Sequence, residues 1–315
     1  MRLIYYGTPE HAVEPLRHLV ETGRAPLLVV TRPDRPRGRG LTLRPSPVRA
    51  LATSLRLPVF TPARASEAAS VERVRSLAPD ILVVVAYGQI LSPELLAVPR
   101  LGALNVHFSL LPLHRGAAPV SAALLAGDEE TGVSTMWMTE RLDEGPVFLR
   151  RATPIGPHDD AGALGERLTS LGADLLIESL ARLERGDAVR EEQDHARATY
   201  APKLRTAEGR LSLTEPAAAL VRRVRAYSPA PGAWLDLERG RLGVLAATSD
   251  DAPGGVPGIV AGIDRARGLG LACGRGVLWL ARVRPAGRNE MSGAAYANGA
   301  RLTVGAEIAT RTADA

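Results

Sequence analysis

Two polar residues whose side chains could take part in a reaction, Asn105 and His107, stand two positions apart in the stretch LNVHFSLLPLHRGAAP (104–119). Alternate side chains of an extended strand share a face, so the amide and the imidazole would point the same way. Leu104 and Val106 would then lie on the opposite face. An amide N–H and an imidazolium N–H on one face can stabilise an oxyanion as it develops. We therefore expect carbonyl chemistry where this strand ends.

A carboxylate that could act with His107 follows in the segment RLDEGPV, where Asp143 precedes a Gly-Pro turn. An Asp beside a His fixes the tautomer of the ring and favours the imidazolium. None of the three groups is a strong nucleophile, so the trio suits direct transfer of an electrophilic carbonyl carbon to an amine. Taken singly, each motif is also typical of a structural strand or turn.

The elements that would position these residues alternate between strands and helices. Strand patterns occur at 3–6, 26–30, 58–60 and 81–86, and helical patterns near 9–22, 46–56, 66–77 and 162–185. This alternation predicts an α/β fold with a doubly wound parallel sheet, in which ligands bind beyond the carboxyl ends of the strands. Asn105 and His107 stand at such a strand end.

The last third of the chain has a different pattern. Residues 189–209 are polar, show little periodicity and are interpreted as a linker. Beyond residue 210, one helical pattern near 216–227 precedes short β-like runs separated by Gly and Pro, which predicts a small barrel or sandwich. The predicted domains are therefore 1–188 and 210–315.

Composition limits the class of protein. The chain has 315 residues, 45% of them hydrophobic and 23% charged, as in ordinary globular proteins. No apolar run approaches the ~20 residues of a membrane span, and the N-terminus enters a strand pattern directly, so a cytoplasmic location without a membrane partner is expected. The single cysteine, Cys273, excludes an intramolecular disulfide and multi-cysteine metal sites, and we expect it to be buried.

The positive charge of the chain is concentrated in one segment. The formal net charge is +5, and residues 32–49 alone hold six arginines against Asp34. Such a cluster indicates a polyanionic partner.

These motifs together resemble the folate-dependent formyltransferases. NVHFSLLPLHRGAAPV is similar to their signature N-x-H-x-S-L-L-P followed by a basic residue and G-A-A-P, and LDEGPV supplies the third member. YYGTPEHA, TRPDRPRGRG, VVVAYGQIL, KLRTAEGRLSL and PAGRNEMSGAAYANG follow in the order found in the branch that acts on methionyl-tRNA. The resemblance covers nearly the whole chain.

The resemblance implies a Rossmann-like formyltransferase domain with a parallel sheet, followed by a C-terminal OB-like β-barrel that binds tRNA. The implied reaction transfers the formyl group of 10-formyltetrahydrofolate to the α-amine of methionyl initiator tRNA, for translation initiation in the bacterial cytoplasm. Tetrahydrofolate would be released, no metal would take part, and the enzyme would act as a monomer. Asn105, His107 and Asp143 would be the catalytic residues.

Two further groups of residues take their roles from the resemblance. The pterin pocket would be lined by Tyr87, Gly88, Gln89, Ile90, Ser109, Leu110, Leu111 and Pro112. The tRNA acceptor end would be contacted by Arg35, Arg37, Arg39 and Arg44, of which Arg39 matches the key arginine of the family.

Several positions depart from the family pattern, among them Glu144 and Pro146 in LDEGPV, where the family usually has smaller or acidic residues. Leu113 replaces the usual basic residue, so Arg115 is expected to supply that positive charge alone. Phe108 replaces a smaller residue and is expected to narrow the site, and His11 stands where the family has an aromatic residue.

Two alternatives stay open from the sequence. One is another folate-dependent formyltransferase, with glycinamide ribonucleotide or a sugar nucleotide amine as acceptor. The glycinamide enzyme lacks the second domain and the arginine-rich insertion. The other alternative is a non-catalytic RNA-binding protein, but barrels that bind single strands need stacking aromatics, and Phe, Trp and Tyr make up only 4% of this chain.

Overall fold

The computed structural model of the protein describes residues 1–37, 42–251 and 255–308. The chain divides into two compact units. The first comprises Met1–Pro119, Glu130–Pro154 and Gly165–Ala201, and the second comprises Val120–Glu129, Ile155–Leu164 and Pro202–Ala315.

The strands of the first unit are short and mostly buried. They are β1 (Leu3–Gly7), β2 (Leu28–Val30), β3 (Arg35–Arg37), β4 (Thr42–Arg44), β5 (Val59–Phe60), β6 (Ile81–Val85), β7 (Ala103–His107), β8 (Arg115–Gly116), β9 (Glu130–Trp137), β10 (Val147–Pro154) and β11 (Tyr200–Ala201). Every residue of β1 and β6 is buried, as expected for strands covered on both faces.

Seven of these strands form the main sheet, in the order β10-β9-β7-β6-β1-β2-β5. β5, β2, β1, β6 and β7 are parallel to one another, whereas β9 runs antiparallel to both of its neighbours, β7 and β10. The chain moves outward from β1 to β5 and then returns to β6 on the other side of β1. The strand order therefore reverses between β1 and β6, where sheets of this class bind their ligands.

The helices agree with the predicted alternation. They are α1 (Val13–Glu21), α2 (Pro47–Ser54), α3 (Ala68–Ser76), α4 (Pro93–Leu96), α5 (Pro119–Ala126), α6 (Ala161–Glu184), α7 (Ala217–Tyr227) and α8 (Gly293–Gly299). The Oγ of Ser46 accepts the N–H of Arg49 at 3.0 Å, and Pro47 occupies the first turn. These contacts begin α2 where the helical pattern near 46–56 predicts a helix.

Residues 189–201, predicted as the first part of a linker, are instead attached to the first unit. β11 pairs in parallel with β8, and the N–H of Glu191 donates to the carbonyl of Val147 at 2.9 Å. The indole N–H of Trp137 donates to the carbonyl of Val189 at 3.2 Å. The segment lacks periodicity because it is held by isolated contacts to distant residues, and its only strand among the described residues, β11, is two residues long.

The second unit contains an antiparallel sheet, as expected for an OB-like domain. Its strands are β12 (Ala233–Leu237), β13 (Gly240–Asp250), β14 (Val260–Asp264), β15 (Gly268–Ala272), β16 (Val277–Pro285) and β17 (Met291–Ser292). They are ordered β12-β13-β16-β15-β14, with β17 paired to β16. Within the described residues, no pairing joins β12 to β14, so the sheet has two edges.

Cys273 is buried, as predicted, and burial raises the pKa of its thiol to about 11. In the portion of the chain that is described, no helix combines the length and the apolar character needed to cross a membrane.

Candidate active site

Asn105 and His107 lie on one face of β7, and the other face of this strand is covered. β7 is an interior strand between β6 and β9. Val106 and Phe108 pack on α6, where a Cβ added at Gly172 would lie 3.1 and 3.3 Å from their side chains. The polar pair therefore faces away from this helix. Phe108 does not narrow the polar face, contrary to the expectation, because it lies on the side of α6.

The imidazole of His107 is held mainly by a backbone carbonyl. Its Nε2–H donates to the carbonyl oxygen of His114 at 3.0 Å, and since a carbonyl only accepts, this contact places a hydrogen on Nε2. Nδ1 lies 3.7 Å from Oδ2 of Asp143, which is longer than a direct hydrogen bond. Asp143 thus borders the ring as predicted, but the carbonyl of His114 accounts for the tautomer that was attributed to Asp143.

Asp143 lies in the turn after β9 with an unusual backbone conformation. Its φ is +54°, in the left-handed region that costs a non-glycine residue about 1–2 kcal/mol. Oδ2 accepts the N–H of Gly116 at 2.8 Å. The same oxygen is therefore fixed by one backbone group and lies beside Nδ1 of His107. The structure brings Asn105, His107 and Asp143 to the carboxyl end of β7.

Gly116 occupies a position that no other residue fits easily. Its φ is +118°, and an added Cβ would stand 2.6 Å from the carbonyl oxygen of Ala201. We expect Gly116→Ala to lower the free energy of unfolding by about 2 kcal/mol or more, because backbone strain and a backbone clash add. Urea denaturation measures this loss.

The matched control for that substitution is Gly186→Ala. Gly186 also has a positive φ, +85°, but no atom of the described residues lies within 4 Å of its added Cβ. Gly186→Ala should therefore lower the free energy of unfolding by only about 1 kcal/mol, the cost of the backbone conformation alone. Equal losses in the two variants would show that the packing of β8 against β11 is looser than the structure indicates.

Arg115 is used inside the protein and does not face a substrate. Its side chain is 1% exposed. Nε and Nη2 donate to Oε1 of Gln193 at 3.1 and 2.8 Å, and Nη2 also donates to Nδ1 of His195 at 3.1 Å. Nη1 lies 3.7 Å from Glu144. The expectation that Arg115 supplies the positive charge missing at Leu113 is therefore wrong, because its side chain is buried and its donors are taken by Gln193 and His195.

Gln193 and His195 were not predicted as part of the site. Gln193 is 4% exposed, and its amide donates to the carbonyls of Asp143 at 2.9 Å and Gly145 at 2.6 Å. The only local signal in this polar stretch is the pair Thr199-Tyr200, two residues that favour strands.

The turn after β7 is tied by hydrogen bonds on several sides. Oγ of Ser109 donates to the carbonyl of Leu113 at 2.6 Å, and Oγ of Ser134 donates to the carbonyl of Ser109 at 2.7 Å. The N–H of Leu111 donates to Oγ of Ser134 at 3.1 Å, and Arg150 donates to the carbonyl of Leu111 at 2.9 Å. Leu111 is buried, whereas Leu110 and Pro112 are half-buried. These contacts make the turn a fixed wall, and the Ser109 hydroxyl is occupied within it.

The loop after β6 presents backbone groups rather than its glutamine side chain. Gln89 is engaged internally, accepting from the N–H of Ala65 at 2.8 Å and donating to the carbonyl of Ala63 at 3.1 Å. Tyr87 is buried, and its ring packs edge-on against Tyr6 at 5.1 Å.

Two features of this loop are available to a ligand. Across the described ranges, the backbone N–H and C=O groups of Gly88 and Gln89 have no hydrogen-bond partner. Ile90 is 84% exposed, which is high for a large apolar side chain. Free polar edges beside an apolar surface fit a flat heterocycle with donors and acceptors at its rim.

The basic segment forms a two-stranded ribbon. β3 and β4 pair antiparallel with Arg35 opposite Arg44, Arg37 also lies in β3, and Arg44 is exposed. Arg39 lies outside the described residues. Arg49 forms an ion pair with Asp34 at 2.7 Å, so the charge of one arginine of the basic segment is neutralised next to the ribbon.

His11 packs beneath the site instead of facing it. Its ring lies 5.8 Å from that of Phe108, Nδ1 is 3.0 Å from Oγ1 of Thr169, and burial lowers its pKa. Among the described residues, no group of His, Cys, Asp and Glu side chains is arranged to hold a metal ion.

Comparisons with known proteins agree with this architecture. Residues 3–180 match the formyl transferase family, and residues 203–301 match the formyl transferase C-terminal domain. The chain is 47% identical to a methionyl-tRNA formyltransferase of Halorhodospira halophila over 98% of this chain and 99% of the relative. It is 44% identical to a methionyl-tRNA formyltransferase of Symbiobacterium thermophilum over 97% and 94%.

Solved structures of low sequence identity share the fold. An N-formyltransferase of Helicobacter canadensis, in complex with folinic acid and dTDP-3-aminofucose, matches 89% of this chain and 99% of its own, with a TM-score of 0.67 and 15% identity. HypX of Aquifex aeolicus, in complex with tetrahydrofolic acid, matches 94% of this chain and 47% of its own, with a TM-score of 0.61 and 18% identity. The near-complete matches at 47% and 44% identity place this chain in the methionyl-tRNA formyltransferase family.

Proposed function

We propose that this protein transfers the formyl group of 10-formyltetrahydrofolate to the α-amine of methionine esterified to initiator tRNA. The observation that carries this proposal is the grouping of Asn105, His107 and Asp143 at the end of β7, in a chain that matches methionyl-tRNA formyltransferases from end to end. The folate supplies the formyl carbon as electrophile and is released as tetrahydrofolate. The product serves translation initiation.

Asn105 is the first donor to the developing oxyanion. Its amide is half-buried on the polar face of β7, and within the described parts of the chain it has no hydrogen-bond partner. An amide that is free in the absence of substrate can turn its N–H groups toward the carbonyl oxygen as charge accumulates there. Such a donor in a site with little water stabilises the transition state more than the ground state.

His107 and Asp143 provide the second donor and the route for a proton. Nε2 of His107 is engaged by the carbonyl of His114, so only Nδ1 is left for the reaction. With the ring in its imidazolium form, which carries hydrogens on both nitrogens, Nδ1–H can donate to the oxyanion. Oδ2 of Asp143, 3.7 Å from Nδ1, can accept the proton that the amine loses on forming its new bond to carbon. The proton is then available to the nitrogen that departs when the old bond breaks, so charge is balanced at the end of transfer.

The attacking amine needs little activation. An α-amino group titrates near pH ~8 in model peptides, so a useful fraction is neutral and nucleophilic at physiological pH. The residues around the amine therefore need only stabilise the oxyanion and accept a proton, and no covalent intermediate with the protein is required.

The folate is proposed to bind between the loop after β6 and the turn after β7. The free backbone groups of Gly88 and Gln89 would pair with the pterin edge, with Tyr87 and Ile90 beside them. The turn Ser109–Pro112 would form the opposite wall, and its internal hydrogen bonds support that role because they leave little freedom to collapse.

The tRNA acceptor end is proposed to contact the basic ribbon through Arg35, Arg37, Arg39 and Arg44. Removal of Arg39 by Arg39→Ala should raise the KM for tRNA and lower the slope of log KM against log salt by about 0.7–1, because one phosphate contact is lost. The KM for the folate should not change. Steady-state kinetics at several salt concentrations measures both quantities.

The control for that variant is Arg75→Ala, which removes an exposed arginine of α3 whose one ion-pair partner within the described residues is Glu72 on the same helix. It should behave as the wild type. An equal rise in the KM for tRNA and for the folate in Arg39→Ala would argue against a role in RNA binding and for a general disturbance of the domain.

We further propose a division of labour along the chain, with catalysis in 1–188 and tRNA binding in 210–315. Of the connecting residues 189–209, those up to Ala201 complete the first unit. The protein is proposed to act as a monomer in the bacterial cytoplasm, where charged tRNA is made and used.

The acceptor is tested by offering labelled 10-formyltetrahydrofolate with methionyl initiator tRNA, free glycinamide ribonucleotide or an amino-sugar nucleotide. The proposal predicts label on methionyl-tRNA only. Preferential transfer to one of the small acceptors would identify a different formyltransferase, and transfer to none would favour an RNA-binding protein without activity.

A further inference from the structure

The turn that contains Asp143 is clamped by one buried side chain from a distant part of the chain. The amide of Gln193 donates to the carbonyl of Asp143 at 2.9 Å and to the carbonyl of Gly145 at 2.6 Å. Its carbonyl oxygen accepts two hydrogen bonds from Arg115, at 3.1 and 2.8 Å. Every polar atom of this amide is thus engaged, and Gln193 is 4% exposed.

Asp143 needs such a clamp because its backbone conformation is unfavourable. With φ at +54°, Asp143 would relax toward a right-handed or extended conformation if the turn were free, and its carboxylate would then move. Gln193 holds the carbonyls on both sides of Glu144, which fixes the peptide planes that set the direction of the Asp143 side chain.

The segment that carries Gln193 also helps to position His107, the neighbour of Asp143. Oγ1 of Thr199 accepts the N–H of His114 at 2.8 Å, and the carbonyl of Thr199 accepts the N–H of Arg115 at 2.8 Å. His114 in turn offers the carbonyl that holds Nε2 of His107. Residues 193–201 therefore support His107 and Asp143 from one side.

We infer that Gln193 is a positioning residue for formyl transfer, which acts by holding Asp143 where its carboxylate can exchange a proton beside Nδ1 of His107. This inference rests on the proposed function, since it presumes that Asp143 takes part in the reaction. Gln193 itself touches no reacting group. Its contribution is the orientation of Asp143 and the neutral buried partner that it gives to Arg115.

The decisive variant is Gln193→Glu. A carboxylate of the same shape still binds Arg115, with a charge that favours the pair, but it cannot donate to the carbonyls of Asp143 and Gly145. We expect kcat to fall by about 10–100-fold, as for other residues that orient a reacting group, with KM values for tRNA and folate near those of the wild type. The control is Glu192→Gln, an exposed neighbour that should keep wild-type kcat.

A double-mutant cycle separates positioning from a general structural role. In the Asp143→Asn background, Gln193→Glu should cost little further activity, because the group that it orients is already disabled. The same fold loss in both backgrounds would overturn the inference, as would wild-type kcat in Gln193→Glu. If Asp143→Asn itself retains full activity, the proposed role of Asp143 fails instead, which is a distinct result.

Gln193→Asn provides a second variant if the glutamate variant does not fold. It keeps the amide but is one methylene shorter, so it cannot reach Arg115 and both carbonyls at once. An intermediate loss of kcat with unchanged KM values supports the inference. Failure of both variants to fold overturns it, because Gln193 would then serve the stability of the domain.

Discussion

Replacing Asn105 with alanine is expected to lower kcat by about 10²–10³-fold while the protein stays folded, because one donor to the oxyanion is lost. The Asn105 amide has no partner elsewhere in the described residues, so its removal leaves no buried group unsatisfied and should cost little stability. The KM values for folate and tRNA should change little. Steady-state kinetics and a thermal melt of the same preparation measure these effects.

A second variant at this position sharpens the test. Asn105→Asp keeps the shape of the side chain but replaces the donor by an ionised oxygen, which would repel the negative charge of the transition state. It should be at least as slow as the alanine variant. Near-wild-type turnover in Asn105→Ala with an unchanged melting temperature would contradict the role given to this amide.

Asp143→Asn is expected to have the other large effect, a fall in kcat of about 10²–10⁴-fold, the range typical of a lost acid–base group. The amide oxygen of asparagine can still accept the N–H of Gly116, so the turn should keep its place. What is lost is the negative charge beside Nδ1 of His107 and the acceptor for the proton of the amine. Single-turnover transfer rates measure the loss without interference from product release.

The neighbouring carboxylate provides the matched control. Glu144→Gln removes the same charge one residue away, where the carboxylate lies 3.7 Å from Nη1 of Arg115. It should keep activity close to the wild type, since Arg115 retains its contacts with Gln193 and His195. Equal losses in Asp143→Asn and Glu144→Gln would assign the effect to the overall charge of the turn rather than to a proton acceptor at Asp143.

The local parts of the site could be predicted from the sequence. The shared face of Asn105 and His107 follows from the alternation of a strand, and the end of that strand follows from the turn residues after His107. The alternation of strands and helices likewise predicted the main sheet, although not the reversed direction of β9 near its edge. Strand direction at an edge depends on the length and path of the connection, which hydrophobic periodicity does not record.

The long-range parts of the site could not be predicted in this way. Gln193 and Arg115 meet across 78 positions of the chain. Nothing in the spacing of polar residues within 189–209 distinguishes a linker from a segment that is held by isolated hydrogen bonds. Arg115 was expected to supply the charge missing at Leu113 for the same reason, because the local sequence gives no sign that this side chain is buried.

The most direct test of the central claim is single-turnover transfer with enzyme in excess over methionyl initiator tRNA and with formyl-labelled 10-formyltetrahydrofolate. The wild type should move the label to the α-amine of methionine in one exponential phase, without label on the protein at any time. Asn105→Ala and Asp143→Asn should show the same single phase at strongly reduced rates. Transfer at wild-type rate in both variants, or a labelled enzyme that forms and decays as the product appears, would contradict direct transfer by Asn105, His107 and Asp143.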